Sequence, residues 1–576
     1  MYEWTLQDLY PSYESEGFRS DMKKIDEMIE KTKQMPTEDR LDHIKAIIAL
    51  AEEIDVLCSR LGAFISLNMA TDTTDKVSAN YASILDSKVA ELSSEGVRLK
   101  KFLGTIKTDI MQDPYLAQYK FYFEEAKRSA SHLLSDDVEA VIAKMNLSAG
   151  SSWSTMQSYL TSIVEGELDG EAITLSQVRN LAYDKDPAVR KKAYEAELAM
   201  YRHIKEPIAF ALNNIKSQVN DIAELRGYTS PLEQTLEQSR MSRETLDALI
   251  SAMEDSLPVF RKYLKHKASL LGHKNGLPFY DLFAPMGNSS KTFTVEESKN
   301  FLVDVFSRFS PDLAEMTKEM YEKQHIDIFP KKGKVGGAFC YNLPFIKQSR
   351  ILLNDDGLLG SLVTAAHELG HAYHGLHIQD HLPLNRDYSM PVAETASTFN
   401  ENLLLDPLIQ MAEKEEKIGL IEQQLQDVTQ IIVDIYSRYL FETEVFEKRK
   451  SAFLFADELE EIMLDAQRKA YGDGLDPEVL HPYMWVNKGH YYSETTSFYN
   501  FPYAFGGLFS KGLYALYREK PEGFVEKYQQ MLRSTTVGSV EDTAKGMGID
   551  LSKKDFWQGA LKMVEKTIEE FIELTK

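Results

Sequence analysis

Residues 367–371 read His-Glu-Leu-Gly-His, and here the residue types first imply chemistry. On a helix, residues four apart share a face, so the His367 and His371 imidazoles can close on one metal ion. Glu368 sits beside them, within reach of a water activated by that ion. A catalytic zinc takes three protein ligands and keeps a fourth position open. His374 is a poor third ligand. It is seven residues from His367, so their Cα atoms would stand ~10.5 Å apart along a helix, too far for both rings to reach one ion at ~2 Å. A packing or supporting role suits it better. Glu394 is the stronger candidate, 23 residues beyond His371 on the next helical stretch, after a loop long enough for the chain to turn back. Glu401, two turns further on, is an alternative ligand, or a carboxylate that orients a ligand histidine through its other ring nitrogen.

Hydrolysis of a peptide at such a centre also needs a donor for the oxyanion of the tetrahedral intermediate. The aromatic cluster His490-Tyr491-Tyr492, then Phe498 to Tyr503, then Gly506-Gly507, offers phenol hydroxyls for that task. The competing reading is an aromatic core patch, the usual fate of such residues.

The elements that must position these groups read as mostly helical. Asn354, Asp355 and Asp356 offer N-caps for the motif helix, and Leu358, Leu362, Ala365 and Leu369 recur on it at helical spacing. Before it, residues 338–343 and 349–354 read as two short strands after the loop Pro330–Gly337. A small sheet there could bind an extended peptide along its edge by main-chain hydrogen bonds. After the motif, Pro391 opens a helix to about Leu405, where Asp406-Pro407 ends or restarts it. Residues 1–135 read as successive helices over about 20–33, 40–61 and 78–105. Asp169-Gly170, between apolar flanks, predicts a hairpin near 160–175. Asp186-Pro187 starts a long helix with a break near Pro207. Ser230-Pro231-Leu232-Glu233 and Thr294-Val295-Glu296-Glu297 read as capping boxes.

At 576 residues the chain is long for one domain, so two lobes or one large extended domain are expected. The formal charge of −24 disfavours nucleic acid or an anionic membrane as a partner. Two cysteines, Cys58 and Cys340, imply no disulfide framework. The opening MYEWTLQDLY lacks a basic region followed by an apolar run, and no stretch is long and apolar enough to cross a bilayer. The expectation is a cytoplasmic protein.

HELGHAYH, AETASTFNEN and HYYSETTSFYNFPYAFG together resemble the M3 family of zinc metallopeptidases, specifically its oligoendopeptidase F branch. The likeness extends to WTLQDLY, SHLLSDDVEAVIAKMNLSAGSSWSTM, DPAVRKKAYEAE and LRGYTSPLEQTLEQSRM, and so covers nearly the whole chain. It implies a zincin-like, two-lobed helical fold around a deep channel, with an N-terminal lobe over 1–195 and a catalytic domain over 196–576. It implies one zinc per chain, held by His367, His371 and Glu394, with Glu368 as the base. His490, Tyr499 and Tyr503 resemble the family's substrate-contacting His and Tyr residues. The implied substrates are short, unstructured peptides cut at internal bonds.

Overall fold

The computed structural model describes residues 2–287 and 291–576, and helices dominate it. Three long helices come first: Glu16–Gln34, Leu41–Thr71 and Lys76–Thr105. Each buries one apolar stripe against the others, through Phe18, Ile25 and Ile29, through Leu57, Leu61 and Phe64, and through Leu85 and Leu92. Ser15 and Asp75 begin the first and third helices by accepting backbone N–H bonds from Phe18 and from Val77 and Ser78.

The hairpin forms as expected, from β1 (Glu165–Leu168) and β2 (Glu171–Thr174). Asp169 and Gly170 both take positive φ, 52° and 89°, which a two-residue hairpin turn of this hand requires. Asp186 then caps the helix Pro187–Leu225, with the proline at its first position. The lobe junction expected near residue 195 falls within this helix.

The expected breaks at two prolines do not occur. Pro207 lies inside Pro187–Leu225, and Pro407 lies inside Thr395–Met411. Ile204, Ile208 and Ala211 flank the first, and Leu403, Leu404 and Leu408 the second, all buried in the large core. Burial at roughly 1.5–3 kcal/mol per large apolar side chain outweighs the ~3 kcal/mol cost of an interior proline. Thr294 and Glu297 form a complete capping box. At Ser230 only half of one forms, because the Glu233 carboxylate accepts from the Thr229 N–H instead.

One large core runs from Val164 to Phe571 and contains the inner faces of most later helices. At its border stands a three-stranded sheet, ordered β3 (Ile326–Asp327), β5 (Gln348–Leu352), β4 (Phe339–Leu343). β5 is central, parallel to β3 and antiparallel to β4, so β4 is an edge strand. The two expected strands are β4 and β5; β3, at two residues, is too short to show an alternating pattern. Leu343 of β4 packs into the cluster of the first helices, and the same strand lies against the motif helix. The sheet therefore stands between the N-terminal helices and the site. Among the described residues, no helix is long and apolar enough to cross a membrane.

Candidate active site

The motif helix spans Leu359–Ile378. None of the three expected residues is its N-cap. Leu358 takes that position, while Asp355 accepts from the Gly357 N–H and Asp356 from the Leu358 N–H and the Ser361 hydroxyl. The acidic side chains thus tie down the loop that enters the helix.

Glu394 sits at a break. The short helix Met390–Ala393 ends there, and Thr395–Met411 begins after it. This interruption turns the Glu394 side chain toward the motif helix. Its Oε2 lies 3.2 Å from His367 Nε2 and 3.3 Å from His371 Nε2. The Ser397 hydroxyl donates to the same oxygen at 2.7 Å. On the far side of the first ring, Glu401 Oε1 meets His367 Nδ1 at 2.5 Å. Glu401 therefore stands behind His367, where a carboxylate fixes ring orientation and tautomer.

Donor atoms of His367, His371 and Glu394 all lie within 4.8 Å of one another. A tetrahedral ion with bonds of ~2.0–2.1 Å has ligand-to-ligand edges of ~3.3 Å, so both separations to Glu394 fit such an ion. The electrostatics fit as well. Burial works against charge on His367, but its hydrogen bonds with Glu394 and Glu401 prevail and raise it to about 10. A site that holds a proton this firmly stabilises positive charge, and a metal ion displaces that proton on binding. Burial pushes the Glu394 carboxyl up, and its contacts with the two imidazoles overcome that and bring it well below the usual carboxylate range.

Glu368 is buried beside the trio, with 6% of its surface exposed. Burial raises its pKa, the neighbouring imidazoles pulling the other way. A dication at the same place would pull with the imidazoles. A cavity of 630 Å³ opens along this side of the motif helix, lined by Gly337, Ala338, His367, Glu368, Glu401 and Asp427 among others. It brings the residues just before β4 and the two motif residues to one space.

Two glycines let the elements come this close. A Cβ on Gly370 would lie 2.4 Å from the Ala396 carbonyl oxygen and 2.5 Å from Ser397 Cα. The motif helix and the helix Thr395–Met411 therefore touch backbone to backbone. A Cβ on Gly375 would lie among the Asn342 amide atoms. Asn342, on β4, donates to the His371 carbonyl at 3.4 Å and accepts from Ser349 at 2.8 Å.

His374 is not part of the trio. It is fully buried, its Nε2 pairs with the Thr535 hydroxyl at 2.8 Å, and its ring stacks on Tyr388 at 4.3 Å. Burial pushes its pKa down to about 3, so it is a neutral packing residue.

The aromatic half divides in two. Tyr491 and Tyr492 are core residues, 2% and 1% exposed. His490, Tyr499 and Tyr503 face one another: the His490 ring is 4.7 Å from Tyr499 and 6.3 Å from Tyr503, and the tyrosines are 5.4 Å apart. His490 is exposed on one side, while desolvation of the half of its ring turned to the protein, with Arg438 and Lys488 nearby, lowers its pKa. Burial and the Tyr499 hydroxyl raise that of Tyr503. Tyr503 lies on the helix Phe501–Glu519, one turn before Gly506. A Cβ on Gly506 would touch the Pro391 carbonyl and the Glu394 Cβ at 3.3 and 3.4 Å. The Tyr499 hydroxyl reaches the Met390 sulfur at 3.8 Å. The aromatic group therefore abuts the segment that carries Glu394.

Several supporting residues carry no sequence signal. Glu442, 1% exposed, accepts from the Phe498 N–H at 3.1 Å and the Asn500 amide at 2.9 Å, the two neighbours of Tyr499. Lys216 neutralises it at 2.7 Å from the helix Pro187–Leu225. Phe498 takes a φ of 52°, a left-handed conformation that this bonding holds. Nothing local marks Glu442 or Lys216, which are 226 residues apart. Ser397 and Gly370 had a signal, since small residues face each other where two helices meet.

Two imidazoles and a carboxylate within reach of one ion, with a buried glutamate beside them on the same helix, match the class of metallopeptidases. The sequence model of Peptidase family M3 matches residues 180–563, and that of Oligopeptidase F matches 105–164. The chain belongs to peptidase family M3 and is a metallopeptidase. It is similar to Oligopeptidase PepF of Bacillus subtilis, 25% identical, covering 99% of this chain and 87% of that one. It is similar to Group B oligopeptidase PepB of Streptococcus agalactiae, 24% identical over 99% and 96%. Among solved structures, a peptidase from Chlamydophila abortus aligns at TM-score 0.87 and 20% identity, over 99% and 98% of the two chains. Oligoendopeptidase-F from Enterococcus faecium aligns at 0.72 and 18%, over 97% and 98%. These likenesses show the fold.

Proposed function

We propose that the chain is a zinc-dependent endopeptidase that cuts internal bonds of short, unstructured oligopeptides in the cytoplasm. The observation that carries this reading is the Glu394 oxygen set 3.2 and 3.3 Å from the two histidine Nε2 atoms, with Glu368 buried alongside. The names of the Bacillus and Streptococcus relatives, both oligopeptidases, agree with the substrate class. The free cysteines Cys58 and Cys340 suit a reducing compartment.

One zinc per chain, held by His367, His371 and Glu394, would supply Lewis acidity toward water and the scissile carbonyl. Glu401 keeps the His367 ring in place through Nδ1. The Glu368 carboxylate takes a proton from the attacking water and gives it to the leaving amine nitrogen. Tyr499 or Tyr503, with His490 beside them, donates to the carbonyl oxygen as negative charge develops there. The outer strand β4 pairs with the substrate main chain, which gives binding with little sequence demand.

The test is cleavage of a short internally quenched peptide. Chelation should abolish it, zinc should restore it, and product masses should show internal cuts. Glu368→Gln should keep one zinc per chain and lose roughly 10²–10⁴-fold in kcat. Normal turnover by Glu368→Gln, or cleavage unaffected by chelation, refutes the mechanism. Stepwise loss from the C-terminus makes the enzyme an exopeptidase.

A further inference from the structure

The stretch SHLLSDDVEAVIAKMNLSAGSSWSTM carries part of the family likeness but none of the chemistry described above. It forms two helices, Asp136–Ser148 and Gly150–Ile163, that meet at Ala149. At that joint the Glu494 Oε1 accepts from the Asn146 amide at 3.1 Å and from the Ser151 hydroxyl at 2.9 Å. Asn146 is itself oriented by Gln218, whose amide donates to its Oδ1 at 2.7 Å. Gly150 permits the approach: a Cβ there would lie 2.5 Å from the Glu494 Cβ. Further along the second of these helices, Gln157, 3% exposed, donates to the Val486 carbonyl at 2.9 Å.

The two tethers bracket His490, one four residues before it and one four residues after. Glu442 and Lys216 hold the other end of the same segment, around Tyr499. The His490 end thus has polar anchors on the helix pair, beside the Asn487 amide on the Tyr201 hydroxyl and the buried Tyr491 and Tyr492 rings, and the Tyr499 end is held by Glu442 and Lys216.

We propose that Asn146, Ser151 and Gln157 are positioning residues for the reaction: the helix pair clasps residues 486–494 and sets His490 in register with Tyr499 and Tyr503. This rests on the reading of His490 as a group that contacts the substrate. It gives the N-terminal stretch a role in catalysis without contact to the reacting atoms.

The clasp can be inverted. Asn146→Asp sets two carboxylates against each other at Glu494. Adding Glu494→Gln restores a donor opposite an acceptor, with the roles exchanged. The readouts on the full-length protein are kcat and KM for a quenched peptide, zinc content and thermal midpoint. Asn146→Asp should lower kcat by tenfold or more, within the roughly 10²-fold that a 1 Å misplacement costs. Zinc content and thermal midpoint should hold, and the double variant should recover most of the loss. In a His490→Ala background, Asn146→Asp should change kcat less than twofold. Three results overturn the clasp alone: His490→Ala impaired while Asn146→Asp is fully active, a loss that adds in full to that of His490→Ala, or a loss that tracks lost zinc or stability. Full activity of His490→Ala overturns the reading of His490, and the clasp with it.

Discussion

Gly370→Ala probes the contact on which the whole metal half depends. The added Cβ would stand 2.4 Å from the Ala396 carbonyl oxygen and 2.5 Å from Ser397 Cα, both backbone atoms that cannot swing aside. Carbon contacts settle near ~3.5 Å, so the motif helix and the helix Thr395–Met411 must part by about 1 Å. Ser397 and Glu394 move with the second helix while His367 and His371 stay with the first. Metal–ligand bonds tolerate about 0.2 Å, so the Glu394 bond is lost or strained. Overpacking of this kind costs about 1–3 kcal/mol of stability. Zinc affinity should fall at least tenfold, the lower end of the ~10–100-fold seen when outer support of a metal site is removed. Competition with a chromogenic chelator measures the affinity, and urea unfolding of the metal-free protein measures the stability. Gly360→Ala is the control on the same helix, because a Cβ there meets nothing within 4 Å. It should leave zinc affinity unchanged and stability equal or up to ~1 kcal/mol higher. Parental zinc affinity and stability in Gly370→Ala would refute the backbone-contact argument.

Tyr499→Phe and Tyr503→Phe separate an oxyanion donor from a packing ring. The donor's loss should cut kcat roughly 10²–10³-fold with KM little changed, the other's should cut it only a few-fold, and equally small effects in steady-state kinetics would remove both from the role. His374 predicts a pH effect on stability. Burial holds its native pKa at about 3, below the unfolded value of ~6.5, so its contribution is complete above pH ~6.5 and is lost as the pH falls toward 3. At pH 5.5 the loss is ~1.4 kcal/mol for this one group. The urea midpoint of His374→Asn should fall less between pH 7 and 5.5 than that of the parent, and identical slopes would place the acid sensitivity elsewhere.

What could be seen in advance follows from which features are local. His367, Glu368 and His371 were legible because two rings on one helix face must be four residues apart to share an ion. Glu394 was preferred to Glu401 from its place on the next helical stretch, but spacing alone does not assign their two roles. On an unbroken helix these residues, seven apart, lie on nearly the same face. The interruption at Glu394 changes the phase, sending one carboxylate to the Nε2 side and the other to Nδ1. Where the helix breaks, Gly506 packs against the Pro391 carbonyl and Glu394, an approach across more than a hundred residues that no window of sequence contains. The same limit explains the aromatic cluster. In helices and strands a period tells inward from outward, but the irregular segment 472–500 has none, so Tyr491 and Tyr492 in the core could not be told from Tyr499 beside His490. Around Tyr499 the chain is tied instead by Glu442, paired with Lys216 from a distant helix, which accepts from the N–H of Phe498, itself at positive φ. The His367–His371 pair is written in short spacing, whereas the surroundings of Tyr499, which we propose helps to aim the substrate carbonyl, are set by long-range buried polar contacts. Substitutions at Glu442 should therefore disturb Tyr499 while sparing the zinc.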